Sequence, residues 1–298
     1  MSWRITLPCS RAQAEAIPHG GDLFPDTGTS PVLVADEPDP DKPDEWLLHA
    51  YFDREPSENE IAQLTQLGSG EPQVEHLEDS TDWVTKSQQG LEPIRAGRFF
   101  VHTPMHYADR PADTVNFEID AGLAFGTGQH ATTARCLDAL DELERNGCKF
   151  ANVADVGTGT GLLAFTALAL WPEARCIATD IDPVAVDVSR DNAAINGVKL
   201  GHGGGELLLA VADGMDSPML AARAPFDLII ANILAGPLIE LADDFAKVLA
   251  PSGTIILAGL LDIQAAAVAR AYDAHGMKLH KSGTGEWPVL VLKGPCQE

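Results

Sequence analysis

The sequence predicts an α/β domain of alternating strands and helices, preceded by a small α+β module. Three observations carry this expectation. A short apolar run, Val153 to Val156, ends in glycines at alternate positions, Gly157, Gly159 and Gly161, and a helical run from Leu162 to Trp171 starts directly after them. Strand-like and helical patterns then alternate towards the C-terminus, as they do in chains of βα units. Residues 1–78, by contrast, read as strand, helix, strand, strand, helix, strand.

In the first 78 residues, Trp3 to Leu7 alternates as a strand does and Arg11 to Ile17 is a short alanine-rich helical run. Pro31 to Ala35 and Trp46 to Phe52 are two further strands, separated by an acidic, proline-bearing stretch from Asp36 to Asp44. Ser57 opens a helix that runs to about Leu67, and Glu60 three residues on completes a capping box. Val74 to Leu77 makes a fourth strand. The order βαββαβ is that of a ferredoxin-like sandwich. A module of this kind without a cofactor motif is expected to recognise rather than to catalyse.

Residues 79–114 read as a linker with some structure, Asp82-Trp83 opening a connecting helix and Arg98 to His102 forming a short strand. His102 and His106 stand four apart, a metal-ligand spacing on a helix, but Pro104 between them argues against a helix and no metal is expected. The stretch from Phe117 to Thr133 leads into a helix that runs to about Leu143. Gly126 and Gly128 make this loop pliable, and by spacing alone Thr132 and Thr133 are a threonine cap at the helix start.

The glycine turn acquires a partner in Asp180, which ends a second apolar run, Cys176 to Thr179, 19 residues beyond Gly161. Two adjacent parallel strands would bring that carboxylate beside the turn, and such a site holds a nucleoside. Dinucleotide sites prefer the longer spacing G-x-G-x-x-G, because the backbone must approach a pyrophosphate. Here the spacing is G-x-G-x-G.

Beyond Asp180 a helix from Val184 to Ile195 stops at Asn196-Gly197. Glu206 to Val211 is the third strand, and Asp213 after it stands either at the level of an adenine or in a cap or turn. Phe226 to Ala231 is a buried fourth strand that delivers Asn232 to its C-terminal end, the edge where open α/β sheets bind ligands. Pro237 opens a helix from Leu238 to Leu249, Thr254 to Ala258 is strand five, Ile263 to His275 is a helix, and Met277 to His280 pairs with Val289 to Leu292 in a final hairpin.

Composition narrows the partners. The chain has 20 basic and 44 acidic residues in 298, a net charge of -24. A field of that sign repels nucleic acid phosphate and attracts basic partners, although it also serves solubility. Residues 1–80 hold 17 acids and 4 bases, a net of -13, so more than half the excess sits in little more than a quarter of the chain. The five cysteines, Cys9, Cys136, Cys148, Cys176 and Cys296, are scattered and odd in number, which points to a reducing cytoplasm. No run of apolar residues approaches a membrane span, and no signal peptide is read at the start.

Several motifs together identify a family. Ala121-Gly-Leu-Ala-Phe-Gly-Thr-Gly-Gln-His-Ala-Thr-Thr133, Asp155-Val-Gly-Thr-Gly-Thr-Gly161, Asp180-Ile-Asp-Pro183, Asp191-Asn192 with Asn196-Gly197, and Ala231-Asn-Ile-Leu-Ala-Gly-Pro237 resemble the ribosomal protein L11 methyltransferases, the PrmA family. The resemblance covers residues 115–298, with a weaker echo at His76-Leu-Glu-Asp79 and Trp83. The chain departs from the family's usual residues at Ala121, Gln129 and Ala131, and its N-terminal part is more acidic.

The resemblance implies a class I methyltransferase domain over residues 115–298, Rossmann-like with seven strands and the last reversed, using S-adenosyl-L-methionine as cofactor. It implies cofactor contacts from Thr133, Gly157, Gly159, Gly161, Asp180, Asp213 and Asn232, with Asn232 also the catalytic residue that aims the acceptor amine. The implied reaction is N-methylation of lysine side chains and the N-terminal amine of a basic ribosomal protein, by a cytoplasmic monomer that binds neither nucleic acid nor membrane. Two other classes remain open: a nicotinamide-dependent oxidoreductase, which should want the longer glycine spacing, and a cofactor-binding protein that docks a partner without catalysis. Among methyltransferases, a glutamine target would favour Asn-Pro-Pro-Tyr where this chain has Asn232-Ile-Leu-Ala235, and the acidity opposes RNA.

Overall fold

A computed structural model describes residues 2–10, 13–14, 31–36, 46–52, 54–77, 92–119 and 130–295. The chain divides into two compact units, residues 1–86 and 87–298. Several expectations lie wholly or largely outside the described residues: the helix Arg11 to Ile17, the acidic stretch to Asp44, the connecting helix at Asp82-Trp83, and the glycine loop from Ala121 to Gln129.

In the first unit, strands β1 (Ser2–Cys9), β2 (Val32–Asp36) and β3 (Trp46–Phe52) precede helix α1 (Glu58–Thr65) and strand β4 (Gln73–Leu77). The sheet order is β2-β3-β1-β4, with every pairing antiparallel. Alternation in β1 and β3 gives one apolar face: Ile5 lies opposite Ala50 and Leu7 opposite Leu48, and all four are fully buried with Leu64 of α1. The capping box forms as read. The Glu60 carboxylate accepts from the Ser57 amide at 2.8 Å, and Ser57 Oγ accepts from the Glu60 amide at 3.4 Å. Arg54 clamps the same carboxylate at 2.9 and 2.7 Å, and that pairing holds Glu60 near 2, well below the usual carboxylate value.

The second unit opens with strands β5 (Ile94–Ala96), β6 (Phe99–His102) and β7 (Val115–Glu118), which form a three-stranded sheet in that order. The sequence reading has only one strand in this region, because β5 and β7 are too short for their alternation to register. His102 is buried, its Nδ1 2.8 Å from the Thr103 carbonyl oxygen, and His106 pairs with Asp109 on a short 3-10 turn, so the two rings serve local contacts. Helix α2 (His130–Arg145) follows, and Arg98 in the β5–β6 turn docks on it through Asp141 and Glu144.

The remaining elements are β8 (Asn152–Val156), α3 (Leu162–Leu170), β9 (Arg175–Asp180), α4 (Pro183–Ile195), β10 (Leu207–Val211), α5 (Pro218–Arg223), β11 (Phe226–Asn232), α6 (Ala235–Glu240), α7 (Ala242–Val248), β12 (Leu249–Ala258), α8 (Asp262–Asp273), β13 (Lys278–Ser282) and β14 (Leu290–Lys293). The seven strands order as β10-β9-β8-β11-β12-β14-β13, with β14 antiparallel to both neighbours and the first five parallel. Both faces are covered, so the central strands are mainly apolar: Val153, Leu228 and Ile256 face one core, and Ala154, Ile229 and Ile255 face the other.

Two expectations change here. The helix read from Leu238 to Leu249 is two helices meeting at Leu241, and Leu249 already belongs to β12. The buried Tyr272 hydroxyl donates to the Leu238 carbonyl at 2.9 Å, giving that group a partner beyond the broken helix. Helix α5, absent from the sequence reading, is capped by Ser217, which accepts from the Met219 amide, and starts with Pro218.

Candidate active site

The order of the strands reverses between β8 and β11, and ligands of open α/β sheets bind in the crevice at such a reversal, beyond the C-terminal strand ends. Gly157 leaves β8 on one side of it and Asn232 ends β11 on the other.

Gly157, Gly159 and Gly161 all adopt positive φ, +74°, +57° and +86°, which a side chain would strain. Their surroundings differ. A Cβ at Gly157 would overlap Ile233 Cγ2, and one at Gly161 would overlap the Phe165 ring, so these two glycines serve close packing. At Gly159 a Cβ would meet nothing within 4 Å, which makes this the open face of the turn.

The turn is held from three directions. Thr179 at the end of β9 accepts the Gly157 and Thr158 amides at 2.8 and 2.9 Å. Asp180 accepts the Gly159 amide at 2.9 Å through Oδ2 and the Asp182 amide at 3.1 Å through Oδ1, leaving a lone pair on each oxygen for a further donor. From below, α4 contributes two fully buried side chains: Ser189 Oγ donates to the Gly159 carbonyl at 2.7 Å and Asn192 Nδ2 to the Thr160 carbonyl at 3.1 Å.

Asp155, at the penultimate position of β8, is fully buried. Its Oδ2 accepts the Thr158 hydroxyl at 2.6 Å and the Ala164 amide at 3.1 Å. Gly161 at the N-cap of α3 has no side chain to offer, so the strand supplies the cap from a distance. Asp155 Oδ1 has no hydrogen-bond partner among the described residues. Burial pushes this carboxyl up from 3.8 to about 7 against those two bonds, with a smaller push from Asp180. Burial and the nearby Asp155 also push up the thiols of Cys136 and Cys176, which keeps them protonated.

Asn232 is half-buried at the end of β11 and its side chain makes no hydrogen bond among the described residues. The loop after it cannot drift. Ile233 packs on Gly157 from one side, while Gly259, at φ +83°, approaches the Ile233 backbone so closely that any Cβ would overlap it. Leu234 beyond is 73% exposed at the mouth of the crevice.

Thr133 lies buried in the first turn of α2, as does Thr132. Asp213 follows β10, next to β9, with its side chain exposed. The turn there uses the Asp213 main-chain carbonyl, which accepts the Asp216 amide at 3.0 Å, so the carboxylate is left to solvent or ligand.

The structure thus brings Gly157, Gly159, Gly161, Asp180 and Asn232 to one crevice. Asp155 and Asn192 stand in the motifs that carry the family resemblance but were given no role at the site, and Ser189 and Gly259 were missed altogether. One signal was available: Ser189, Asn192 and Asn196 recur at helical spacing on the face of α4 that also carries Ala185, Val186 and Ala193, a polar stripe where an apolar one belongs. Asn196 completes the stripe by pairing with the Glu118 backbone of β7 in both directions, 2.9 and 2.7 Å.

Comparison with known proteins agrees with this architecture. A solved ribosomal protein L11 methylase from Lactobacillus delbrueckii subsp. bulgaricus superposes with a TM-score of 0.59 at 26% identity, over 69% of this chain and 100% of that one. The ribosomal protein L11 methyltransferase of Caulobacter sp. (strain K31) is 41% identical over 299 residues, 98% of both chains. That of Brucella suis (strain ATCC 23445 / NCTC 10510) is 46% identical over 233 residues, 76% of this chain and 77% of the relative. The model of the family described as ribosomal protein L11 methyltransferase (PrmA) matches residues 4–294, and the chain therefore belongs to that family.

Proposed function

We propose that this chain transfers methyl groups from S-adenosyl-L-methionine to amino nitrogens of ribosomal protein L11, lysine side chains and the N-terminal amine. The observation that carries the reading is the glycine turn at the strand-order reversal, open at Gly159 and flanked by Asp180, in a chain matched by the family model from residue 4 to 294. The residues fit the cofactor: the spare lone pairs of Asp180 suit two ribose hydroxyls, and an open glycine face with no phosphate-binding spacing suits a methionine carboxylate.

In this reading Gly157 and Gly161 shape the turn, Gly159 leaves room above it, and Thr133 and Asp213 close the two ends of the cofactor site. Bound S-adenosylmethionine supplies a methyl group already activated by its sulfonium, so the protein's task is alignment. Asn232 accepts N–H bonds from the incoming amine through its amide oxygen and aims the nitrogen lone pair at the crevice. A free lysine has a pKa of about 10.4, and transfer from water to this half-enclosed mouth favours the neutral, nucleophilic form. Residues 1 to about 78, with most of the -13 charge of the first 80, grip the basic substrate; residues 79–114 link them to the catalytic part at 115–298.

The reading places the enzyme in the cytoplasm as a monomer, without nucleic acid or membrane contact. No helix among the described residues is long and apolar enough to cross a membrane. Incubation with labelled S-adenosylmethionine and total ribosomal proteins, followed by mass spectrometry, tests the proposal. Label on lysine or N-terminal nitrogen of L11 is the expected result; label elsewhere, or binding of NADH in place of S-adenosylmethionine, overturns it.

A further inference from the structure

Ser189 belongs to no motif that touches a ligand, yet it is fully buried and its hydroxyl donates to Gly159 O at 2.7 Å. The peptide group is planar and trans, so the N–H of Thr160 points opposite to the Gly159 carbonyl. A carbonyl held towards α4 therefore holds the Thr160 N–H away from α4. The other amides of the turn are occupied: Gly157 and Thr158 donate to Thr179, Gly159 to Asp180 and Gly161 to Thr158. Thr160 alone in the turn keeps an amide with no partner among the described residues.

The adjoining residue makes this orientation precarious. Gly159, at φ +57° with open space around its missing Cβ, has no side chain to resist rotation of the Gly159–Thr160 peptide. If that plane flipped, a carbonyl oxygen would face the ligand in place of an N–H, turning an attraction for an anionic group into a repulsion. The next peptide is fixed as well, since Asn192 Nδ2 donates to the Thr160 carbonyl at 3.1 Å. The helix that carries both side chains is itself anchored at its C-terminal end, where Asn196 pairs with both main-chain groups of Glu118.

We propose that Ser189 is a positioning residue that locks the Gly159–Thr160 peptide so that the Thr160 amide donates to the carboxylate of the bound cofactor. This rests on the methyltransferase reading above. The lock acts on one functional group of the ligand, which separates it from a general packing role. A packing defect under the turn would weaken every ligand of the site, whereas loss of the lock weakens only ligands that carry the carboxylate.

The test measures affinity by calorimetry for two probes, S-adenosylmethionine and 5′-methylthioadenosine, which keeps the nucleoside but lacks the carboxylate. Ser189→Ala should bind S-adenosylmethionine about tenfold more weakly, the scale of one hydrogen bond, and bind methylthioadenosine within about twofold of the parent. Ser189→Thr, which keeps a hydroxyl, should restore most of the difference. In the protein without ligand, hydrogen exchange at the Thr160 amide should change in Ser189→Ala while the amides of α3 stay protected. Equal weakening of both probes, or of neither, overturns the proposal. Failure of the parent protein to bind S-adenosylmethionine would instead refute the cofactor assignment.

Discussion

Replacing Asp155 with asparagine should abolish a pH dependence of stability that runs against that of most carboxylates. Burial raises this group from 3.8 to about 7, so the native state keeps a proton that the unfolded chain releases near its ordinary value. The stabilisation is complete below about pH 4 and is lost as pH rises through about 7. Between about pH 5 and pH 7 the native state holds close to one extra proton. At about 1.36 kcal/mol per pH unit, the wild type should lose roughly 2 to 3 kcal/mol over that interval. Asparagine keeps the size of the side chain and an oxygen for the Thr158 hydroxyl and the Ala164 amide, and it carries no titrating proton. The assay is hydrogen exchange of the β8 amides in both proteins at about pH 5 and pH 8, corrected for intrinsic rates, which reports opening of the second unit alone. Taking the difference between proteins at each pH cancels every group that titrates alike in both. The variant should gain roughly 2 to 3 kcal/mol on the wild type as pH rises. An unchanged difference would mean that Asp155 stays ionised in its pocket, and the desolvation argument would fail.

Other perturbations probe the remaining parts. Asp180→Ala should weaken S-adenosylmethionine by about 1.5 to 3 kcal/mol, the range for hydrogen bonds to a charged group, and calorimetry that finds unchanged affinity in a folded variant would remove Asp180 from the ribose. Asn232→Ala should lower turnover about 10- to 1000-fold at saturating substrate, because it forfeits a positioning contact; near-normal turnover in a rapid-quench assay would eliminate that role. Deleting residues 1–86 should leave cofactor affinity intact while methylation of the ribosomal protein collapses and loses its salt sensitivity, and equal efficiency of the folded remainder would show that the acidic unit does not dock substrate. In the first unit, Glu60→Gln should remove a contribution that is present above about pH 4.5 and lost as pH falls towards 2; acid unfolding that begins at the same pH in both proteins would contradict it.

What the sequence disclosed was the part of the site written in contiguous residues. The glycine spacing, the strand before it and the helix after it lie within 20 residues, and Asp180 follows at the distance one βα unit imposes. Ser57 with Glu60 was equally legible, since a capping box is a local grammar. Ser189 and Gly259 were not, and Asn192 was legible only as a motif residue without a role, because their partners lie 30, 26 and 32 residues away and are backbone atoms, which carry no sequence signal of their own. The break at Leu241 was hidden for a related reason: Leu238 to Leu249 has helical composition throughout, and only the packing of Tyr272 shows where the ladder is interrupted. Asp213 was placed correctly at a strand end, while the choice between turn and ligand depended on whether its main chain or its side chain made the turn bond.

The wedge of Ile233 between Gly157 and Gly259 also bears on how this site can change over generations. Two glycines a hundred residues apart form a single steric constraint, so neither can be enlarged alone without displacing Ile233, and with it Asn232 next door. Trimming Ile233 would relieve the overlap at Gly157, but the positive φ of each glycine and the backbone contact at Gly259 would persist. Substitutions at these three positions should therefore combine non-additively. The crevice floor is an inherited unit, and variation in what the enzyme accepts has easier routes through exposed Leu234 at its rim, 73% open to solvent and free of that constraint.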